Sequence, residues 1–226
     1  MKIKYPEKSD EELIEQAKTL AAQYVREGWG SRASVLHAIY DLFETNIPLD
    51  VFVQYCALLD PLHGPAAAIH FADGKRAGLT VCGALTSGLL AFSMLNGVKE
   101  IPFQLWLEAK PGNGQFGKMI DDPSISLAEK VRLFNKEVEK LCYGVYQHIA
   151  LRFYEHFGTT DCYDLQKPFG NPVDRECFRN CARVIIWTAG MITETILAYD
   201  KDPSSFKSIN DNVSSALVRD LSEYSQ

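Results

Sequence analysis

The sequence has neither a basic surplus nor a long basic cluster. Its 23 Lys and Arg residues are outnumbered by 29 Asp and Glu residues, the formal net charge is −6 at pH 7, and the longest run of Lys and Arg is Lys75-Arg76. Proteins that bind nucleic acid nonspecifically carry a basic surplus or a basic stripe. The sequence therefore predicts no nucleic-acid partner.

Signals for secretion and for a membrane span are also lacking. The segment from Met1 to Lys8 is charged, contains Pro6, and is followed by neither an apolar h-region nor a small-residue cleavage site. The longest weakly polar stretch, from Leu79 to Val98, contains hydroxyl side chains and several glycines. This composition favours a buried core helix over a membrane span. We therefore expect a cytoplasmic protein with no membrane partner.

Several motifs of catalysis and cofactor binding are absent. The sequence has no P-loop, no Gly-x-Gly-x-x-Gly after a strand, no Gly-x-Ser-x-Gly and no His-Glu-x-x-His. It also has no Cys-x-x-Cys-His, which excludes covalent c-type haem. These absences leave the enzyme class unassigned, with a component of an oxidoreductase as the open alternative.

Apolar periodicity predicts the fold class. No Ser/Gly-rich linker or charge block divides the chain, so we predict one domain over 1–226. Alternating strand patterns are missing, whereas apolar residues recur at helical spacing. Ser9 with Glu12, and Ser126 with Glu129, form capping boxes. The sequence predicts an all-α, compact multi-helix bundle with an irregular excursion near 101–123. The predicted helices run from Ser9 to Gly28, Ser31 to Asn46, Asp50 to Leu59, Val81 to Asn96, Ser126 to Gly158 and Asp174 to Tyr199.

A last amphipathic helix is predicted over 204–224, after the break at Pro203. Its apolar stripe must be buried, either in a homodimer interface or against its own domain. We expect the homodimer, with the second packing as the alternative. The stripe consists of Phe206, Ile209, Val213, Leu217 and Leu221.

Six cysteines raise the question of metal or redox chemistry, because the cytoplasm keeps thiols reduced and does not favour a disulfide framework. Cys177 and Cys181 are four residues apart at the start of a predicted helix, so they lie on one face about one turn apart. Two thiolates at this spacing can bind one metal centre, and a helix N-terminus lowers thiol pKa. The alternative is a buried core stripe, since cysteine is a common core residue.

Cys82 lies in a string of small residues, Val81-Cys-Gly-Ala-Leu-Thr-Ser-Gly88. Glycine inside a helix costs about 1 kcal/mol relative to alanine, so some close contact should offset the cost. Gly83 and Gly88 would admit either a cofactor or a neighbouring helix.

Three segments together resemble a known family. The first is the Cys82 string, which resembles a Cys-Gly-Ala-x-x-Gly motif. The second, Phe157-Gly-Thr-Thr-Asp-Cys162-Tyr-Asp-Leu165, is similar to Phe-Gly-x-x-x-Cys-x-x-Leu. The third is Cys181 with the residues that follow it: Val184, Ala189 and Glu194. In this order they resemble the small redox-active proteins marked by Cys-Gly-Ala-x-x-Gly and further single cysteines, which are distantly like split-Soret cytochromes.

The resemblance implies a helical protein whose cysteines hold an iron–sulfur cluster. Members usually have an earlier cysteine, where this chain reads Gly30-Ser-Arg-Ala-Ser-Val35. The extra thiol of Cys177 could restore the count. The implied ligand set is Cys82, Cys162, Cys177 and Cys181, with Gly83 and Gly88 beside the cofactor.

The remaining cysteines and most histidines have two interpretations. Cys56 and Cys142 lie among apolar residues and are expected to pack in the core. His63 and His70 flank the loop before Cys82. They could serve its site as a ligand or a proton donor, or they could be surface residues. His148 and His156 lie eight residues apart on one predicted helix, near one face, and would need acidic partners such as Glu137 and Glu155 to hold a metal.

The resulting functional hypothesis is an electron-transfer or redox-sensing protein with an iron–sulfur cluster and an unidentified redox partner. The first alternative is metal-free dithiol–disulfide chemistry. The second is a non-catalytic helical interaction protein whose cysteines only fill the core.

Overall fold

The structure is a computed structural model, and it describes residues 2–58, 69–70, 76–77, 81–96, 122–126, 128–130, 144–169 and 174–206. Backbone contacts divide the chain into two compact units. The first comprises Met1–Asn96 and Ile149–Pro203, and the second comprises Gly97–His148 and Ser204–Gln226. The described α-helices are α1 (Asp10–Arg26), α2 (Ser31–Leu42), α3 (Leu49–Leu58), α4 (Gly83–Asn96), α5 (Gly144–Phe157), α6 (Cys162–Gln166) and α7 (Arg175–Lys201), and short 3-10 helices span Lys167–Phe169 and Pro203–Ser205.

The all-α prediction is confirmed. Within the described residues, regular strands are limited to β1 (Ile69–His70) and β2 (Arg76–Ala77), which pair antiparallel in a segment predicted as loop. The single-domain boundary of 1–226 stays a prediction. Predictions for 101–121, for His63 and Cys142, and for the last helix beyond Phe206 lie outside the described residues.

Helix α1 begins and ends as its sequence predicts. The Ser9 hydroxyl accepts a hydrogen bond from the Glu12 N–H, and the Glu12 carboxylate accepts one from the Ser9 N–H at 2.7 Å. Both bonds satisfy amide groups that have no partner inside the helix. After α1, Gly28 has a φ of +92°, a left-handed conformation that glycine adopts without a Cβ penalty.

Helix α2 is shorter than predicted, because the N-terminal segment pairs with the residues after it. Ile3 and Phe43 form an antiparallel bridge. The Lys4 N–H donates to the Leu42 carbonyl, and the Glu44 N–H donates to the Lys2 carbonyl, both at 2.9 Å. These bonds end the helix at Leu42, four residues before Asn46.

Helix α7 is the centre of the first unit and contacts α1, α2 and α4. It runs antiparallel to α1: Lys201 pairs with Asp10 at 2.5 Å, and a Cβ on Gly190 would lie 2.6 Å from Lys18 Cε. Within the described residues α7 is the one helix long and apolar enough to cross a membrane, but 61% of its apolar window is buried inside the fold. That burial is the pattern of a core helix.

Helices α4 and α7 pack closely and point the same way. A Cβ on Gly88 would lie 2.6 Å from Ile192 Cδ1, and Phe92 meets Tyr199 edge to face at 5.1 Å. The N-termini of α4 and α7 therefore point toward one end of the first unit, and α7 extends beyond the start of α4 at that end. Since α1 is antiparallel to α7, the turn between α1 and α2 lies at this same end.

The helix predicted from Ser126 to Gly158 is described at its two ends. The Glu129 N–H donates to Ser126 Oγ at 3.2 Å, as the capping box requires, and residues 128–130 and 144–157 are helical. The part between them lies outside the described residues.

In the first unit, His156 stacks on Trp187 of α7 with ring centroids 4.2 Å apart.

Helix α2 carries a buried histidine, His37, whose ring lies against α1 and the turn that follows it. The His37 ring has centroid distances of 4.7 Å to Tyr24 and 4.6 Å to Trp29, and only 7% of the residue is exposed. Among the described residues, none hydrogen-bonds to its Nε2 atom. Burial lowers the pKa of His37 below its ordinary value, although the carboxylates of Asp41 and Glu27 oppose the shift. Tyr24 Oη donates to Asp41 Oδ2 at 2.5 Å.

We expect His37 to make the protein less stable as the pH falls below about 6.5. In that range the unfolded chain takes up a proton that the folded histidine resists, so the free energy of unfolding decreases. Urea unfolding of wild type and His37→Gln between pH 7.5 and 5.0 checks this, with a shallower pH dependence expected for the variant. Identical slopes would contradict the assignment to His37.

Candidate thiol redox site

A backbone bridge brings two of the candidate cysteines together. Val81 and Asp161 pair antiparallel, and the Cys82 N–H donates to the Thr160 carbonyl at 2.8 Å. Cys82 follows one partner of the bridge and Cys162 follows the other. Two segments far apart in sequence therefore place their thiols in one region.

Cys82 lies immediately before α4. Its carbonyl accepts hydrogen bonds from the Thr86 N–H at 3.0 Å and from Thr86 Oγ1 at 2.9 Å. Burial raises the pKa of Cys82 to about 12, although hydrogen bonds from the Leu85 and Ala84 backbone N–H groups favour its thiolate. The site thus supplies donors to the sulfur while excluding water.

Cys162 is the first residue of α6, and Asp161 caps that helix. The Asp161 carboxylate is buried and accepts hydrogen bonds from the Tyr163 N–H at 2.8 Å and the Asp164 N–H at 3.2 Å. Burial is the main cause that raises the pKa of Cys162, and the Asp161 charge adds to it. A cation near Cys162 would oppose both effects, because it stabilises the thiolate.

Helix α7 supplies the other two thiols. The Cys177 thiol is buried and donates to the Gln166 carbonyl, with an S···O distance of 3.7 Å. Asn180 Nδ2 donates to the Leu165 carbonyl at 3.0 Å, which holds α6 against α7. Burial, followed by the charges of Cys162 and Cys177, raises the pKa of Cys181 to about 11.

The four cysteines share one electrostatic environment. The charges of Cys162 and Cys181 disfavour the Cys82 thiolate, and those of Cys162 and Cys177 disfavour the Cys181 thiolate. All four are free thiols. Over the described ranges, no three His, Cys, Asp or Glu side chains converge closely enough to hold a single metal ion. Their roles as ligands stay predictions.

The other candidate residues have different surroundings. Gly88 is packed so closely against Ile192 that a larger residue would have no room for its Cβ. Gly83 begins α4, and its carbonyl accepts a hydrogen bond from Ser87 Oγ at 2.9 Å. The cofactor role of both glycines is untested. Cys56 lies in α3, His70 lies in β1, and the His148 ring meets Phe206 edge to face at 5.4 Å in the second unit.

Sequence reasoning missed two polar groups beside the thiols. The buried Asp161 carboxylate was detectable as a helix cap directly before Cys162. The Gln166 Oε1 atom is buried and has no hydrogen-bond partner in the part of the chain that the structure describes. No local signal marks it, because its burial depends on how α6 meets α7.

The fold and site define a helical protein with a set of buried and half-buried thiols in one region. The family described as "Putative redox-active protein (C_GCAxxG_C_C)" matches residues 52–195, which include all four cysteines. The chain belongs to this family. Compared with Cys-Gly-Ala-x-x-Gly, three residues rather than two separate Ala84 from Gly88, so the buried Ser87 stands at the glycine position. Comparisons with curated proteins and with solved structures gave no match.

Proposed function

We propose that this redox-active family member holds an iron–sulfur cluster through Cys82, Cys162, Cys177 and Cys181. Its role is electron transfer or redox sensing in the cytoplasm. The observation that carries the proposal is the packing that brings these cysteines together from three segments: the Val81–Asp161 bridge joins the Cys82 and Cys162 segments, and hydrogen bonds from Cys177 and Asn180 join α7 to α6. When bound, a cluster supplies one-electron chemistry that the side chains alone do not.

The thiol environment fits a cationic iron centre. Without a cation, burial keeps Cys82 and Cys181 protonated, with pKa values of about 12 and 11. Metal binding replaces such protons. The Ala84 and Leu85 N–H groups then remain as donors to the Cys82 sulfur, and hydrogen bonds of this kind orient ligands and tune their potential.

A single ion and a polynuclear cluster require different spacings of the thiols. Thiolates around one ion have metal–sulfur bonds of about 2.3 Å, so their sulfurs lie about 4 Å apart. A polynuclear cluster occupies more space and takes thiolates that are farther apart, while still requiring them to surround one volume.

Metal-free dithiol–disulfide chemistry is the second candidate, and the free Cys177 and Cys181 thiols, one helical turn apart, are the observation that favours it. However, the thiolate is the attacking species in thiol exchange. Burial raises the pKa of Cys82 to about 12, so this thiol stays protonated at neutral pH. The third candidate, a non-catalytic interaction protein, leaves the mutual placement of the four thiols without a role.

Iron and acid-labile sulfide analysis of anaerobically purified protein tests the proposal. We expect both elements in stoichiometric amounts together with a broad visible absorption, because the four thiols would bind the cluster tightly. Apo protein reconstituted with iron and sulfide is the control for loss during purification. Failure to take up iron under reconstitution would contradict the cluster, and reversible oxidation of the thiols would then favour the dithiol alternative.

A further inference from the structure

We propose that the start of α7 docks an acidic electron-carrier protein. The docking face consists of Arg175, Phe178, Arg179 and Arg183. The inference rests on the proposed redox function, because the face lies on the same turns of α7 as Cys177 and Cys181, with Phe178 next to Cys177. It names the kind of partner that the thiol site would serve.

The docking face is basic in an acidic chain. Arg175, Arg179 and Arg183 follow each other at intervals of four, so they form one stripe along the helix, and all three are exposed. Arg179 pairs with Glu176, whereas Arg175 and Arg183 have no ion pair with any described carboxylate. Arg26 ends α1 at the same end of the first unit.

Negative charges near the stripe reduce its field, so the field that remains depends on which arginines are already paired. Asp164 and Asp174 are exposed on the neighbouring segments, and Glu176 is already paired. The unpaired guanidinium groups of Arg175 and Arg183 thus remain available to a carboxylate-rich partner. Complementary charge of this kind speeds encounter and fixes orientation.

An apolar anchor lies beside the arginines. Phe178 is 65% exposed, the largest exposure among the described large hydrophobic residues. Exposed Tyr163 and Phe169 lie on α6 and on the adjacent 3-10 helix, both of which contact α7. Aromatic residues and arginine are the residue types that dominate protein interfaces. The combination is that of a docking surface rather than of an ordinary solvated helix face.

The position of the face explains why a redox partner would use it. Phe178 directly follows Cys177, whose thiol is buried beneath the same turn. A carrier seated on Phe178 therefore contacts the same turn of α7 that carries Cys177. In a two-fold dimer the stripe of one copy would face the same stripe of the other, and the like charges would repel. An acidic carrier avoids that repulsion.

Binding measurements with carriers of opposite charge test the proposal. The probes are a plant-type [2Fe–2S] ferredoxin, which is acidic, and cytochrome c, which is basic. We expect the full chain to bind the ferredoxin at low ionic strength, with affinity that falls as salt is added. Arg175→Glu with Arg183→Glu should weaken this binding about tenfold or more, and Phe178→Ala should weaken it at any salt concentration.

Lys2→Glu with Lys201→Glu is the matched control, because it changes the net charge equally at the opposite end of the first unit. It should leave ferredoxin binding within about twofold of wild type. Equal loss in both charge variants, absence of ferredoxin binding, or a preference for cytochrome c would overturn the proposal. Self-association lost in Phe178→Ala, or displacement of ferredoxin by a single-stranded oligonucleotide, would also overturn it.

The readout is binding, so it does not require a loaded cluster. Iron analysis of the same samples reports on the proposed function separately. Iron-loaded protein that does not bind ferredoxin rejects only the docking face. Protein that binds ferredoxin through the face but takes up no iron keeps the docking face and rejects the cluster.

Discussion

Replacement of Cys82 by serine is expected to reduce bound iron and visible absorption to background. The backbone N–H groups of Ala84 and Leu85 donate to the Cys82 sulfur, and Cys162 and Cys181 lie close enough to affect its pKa. A serine oxygen is a poor substitute for thiolate at a soft iron–sulfur site. Iron, sulfide and visible absorption after anaerobic reconstitution measure the loss, with circular dichroism to confirm folding.

The remaining serine variants show which thiols are ligands. Cys162→Ser and Cys181→Ser should lose iron about as severely as Cys82→Ser. Cys177→Ser should do the same if Cys177 completes the ligand set in place of the missing early cysteine. Cys142→Ser, outside the described residues, is the control and should keep the chromophore. If Cys177→Ser alone retains its iron, the site has three cysteine ligands and needs another ligand. Unchanged iron in all four variants would reject the cluster.

Gly88→Val is expected to destabilise the fold by about 3 kcal/mol, the upper part of the usual range for overpacking. The first added carbon alone would lie 2.6 Å from both Ile192 Cδ1 and Cγ1. Ile192 is fully buried, so it has little room to move. Urea unfolding followed by circular dichroism measures the change.

Removal of the opposing side chain provides the control for this packing prediction. Ile192→Ala by itself should destabilise, because it opens a cavity. Combined with Gly88→Val, its effect should be clearly less than additive, since the valine fills the space that Ile192 vacates. Additive losses, or a Gly88→Val variant as stable as wild type, would show that the close approach to Ile192 is not what excludes a side chain at residue 88.

The parts of the fold that depend on local signals could be predicted from the sequence. The Ser9 capping box, the Gly28 stop and the Asp174 start of α7 each depend on a few neighbouring residues, and the structure has all three boundaries within a residue or two. The Asp174 side chain differs from the prediction, because it makes no capping hydrogen bond although the residue stands at the N-cap. Local chemistry is sufficient to fix a helix end.

Contacts between distant segments could not be predicted in the same way. The end of α2 depends on Ile3, and the surroundings of Cys82 depend on Thr160, which no pattern near either residue indicates. The four thiols could be nominated because their motifs resemble a family. Their burial, and the pKa values that follow from it, required the packing of α4, α6 and α7.

The bridge between Val81 and Asp161 also imposes an order on biosynthesis. Asp161 is added 80 residues after Val81, which takes about 4–16 s at the usual rate of chain elongation. Until Asp161 has been made, the bridge partner of Val81 does not exist, and the Cys82 thiol has the reactivity of an ordinary unfolded cysteine. The newborn chain thus passes through an interval of sensitivity to oxidants, which closes when the bridge forms and withdraws the sulfur from water.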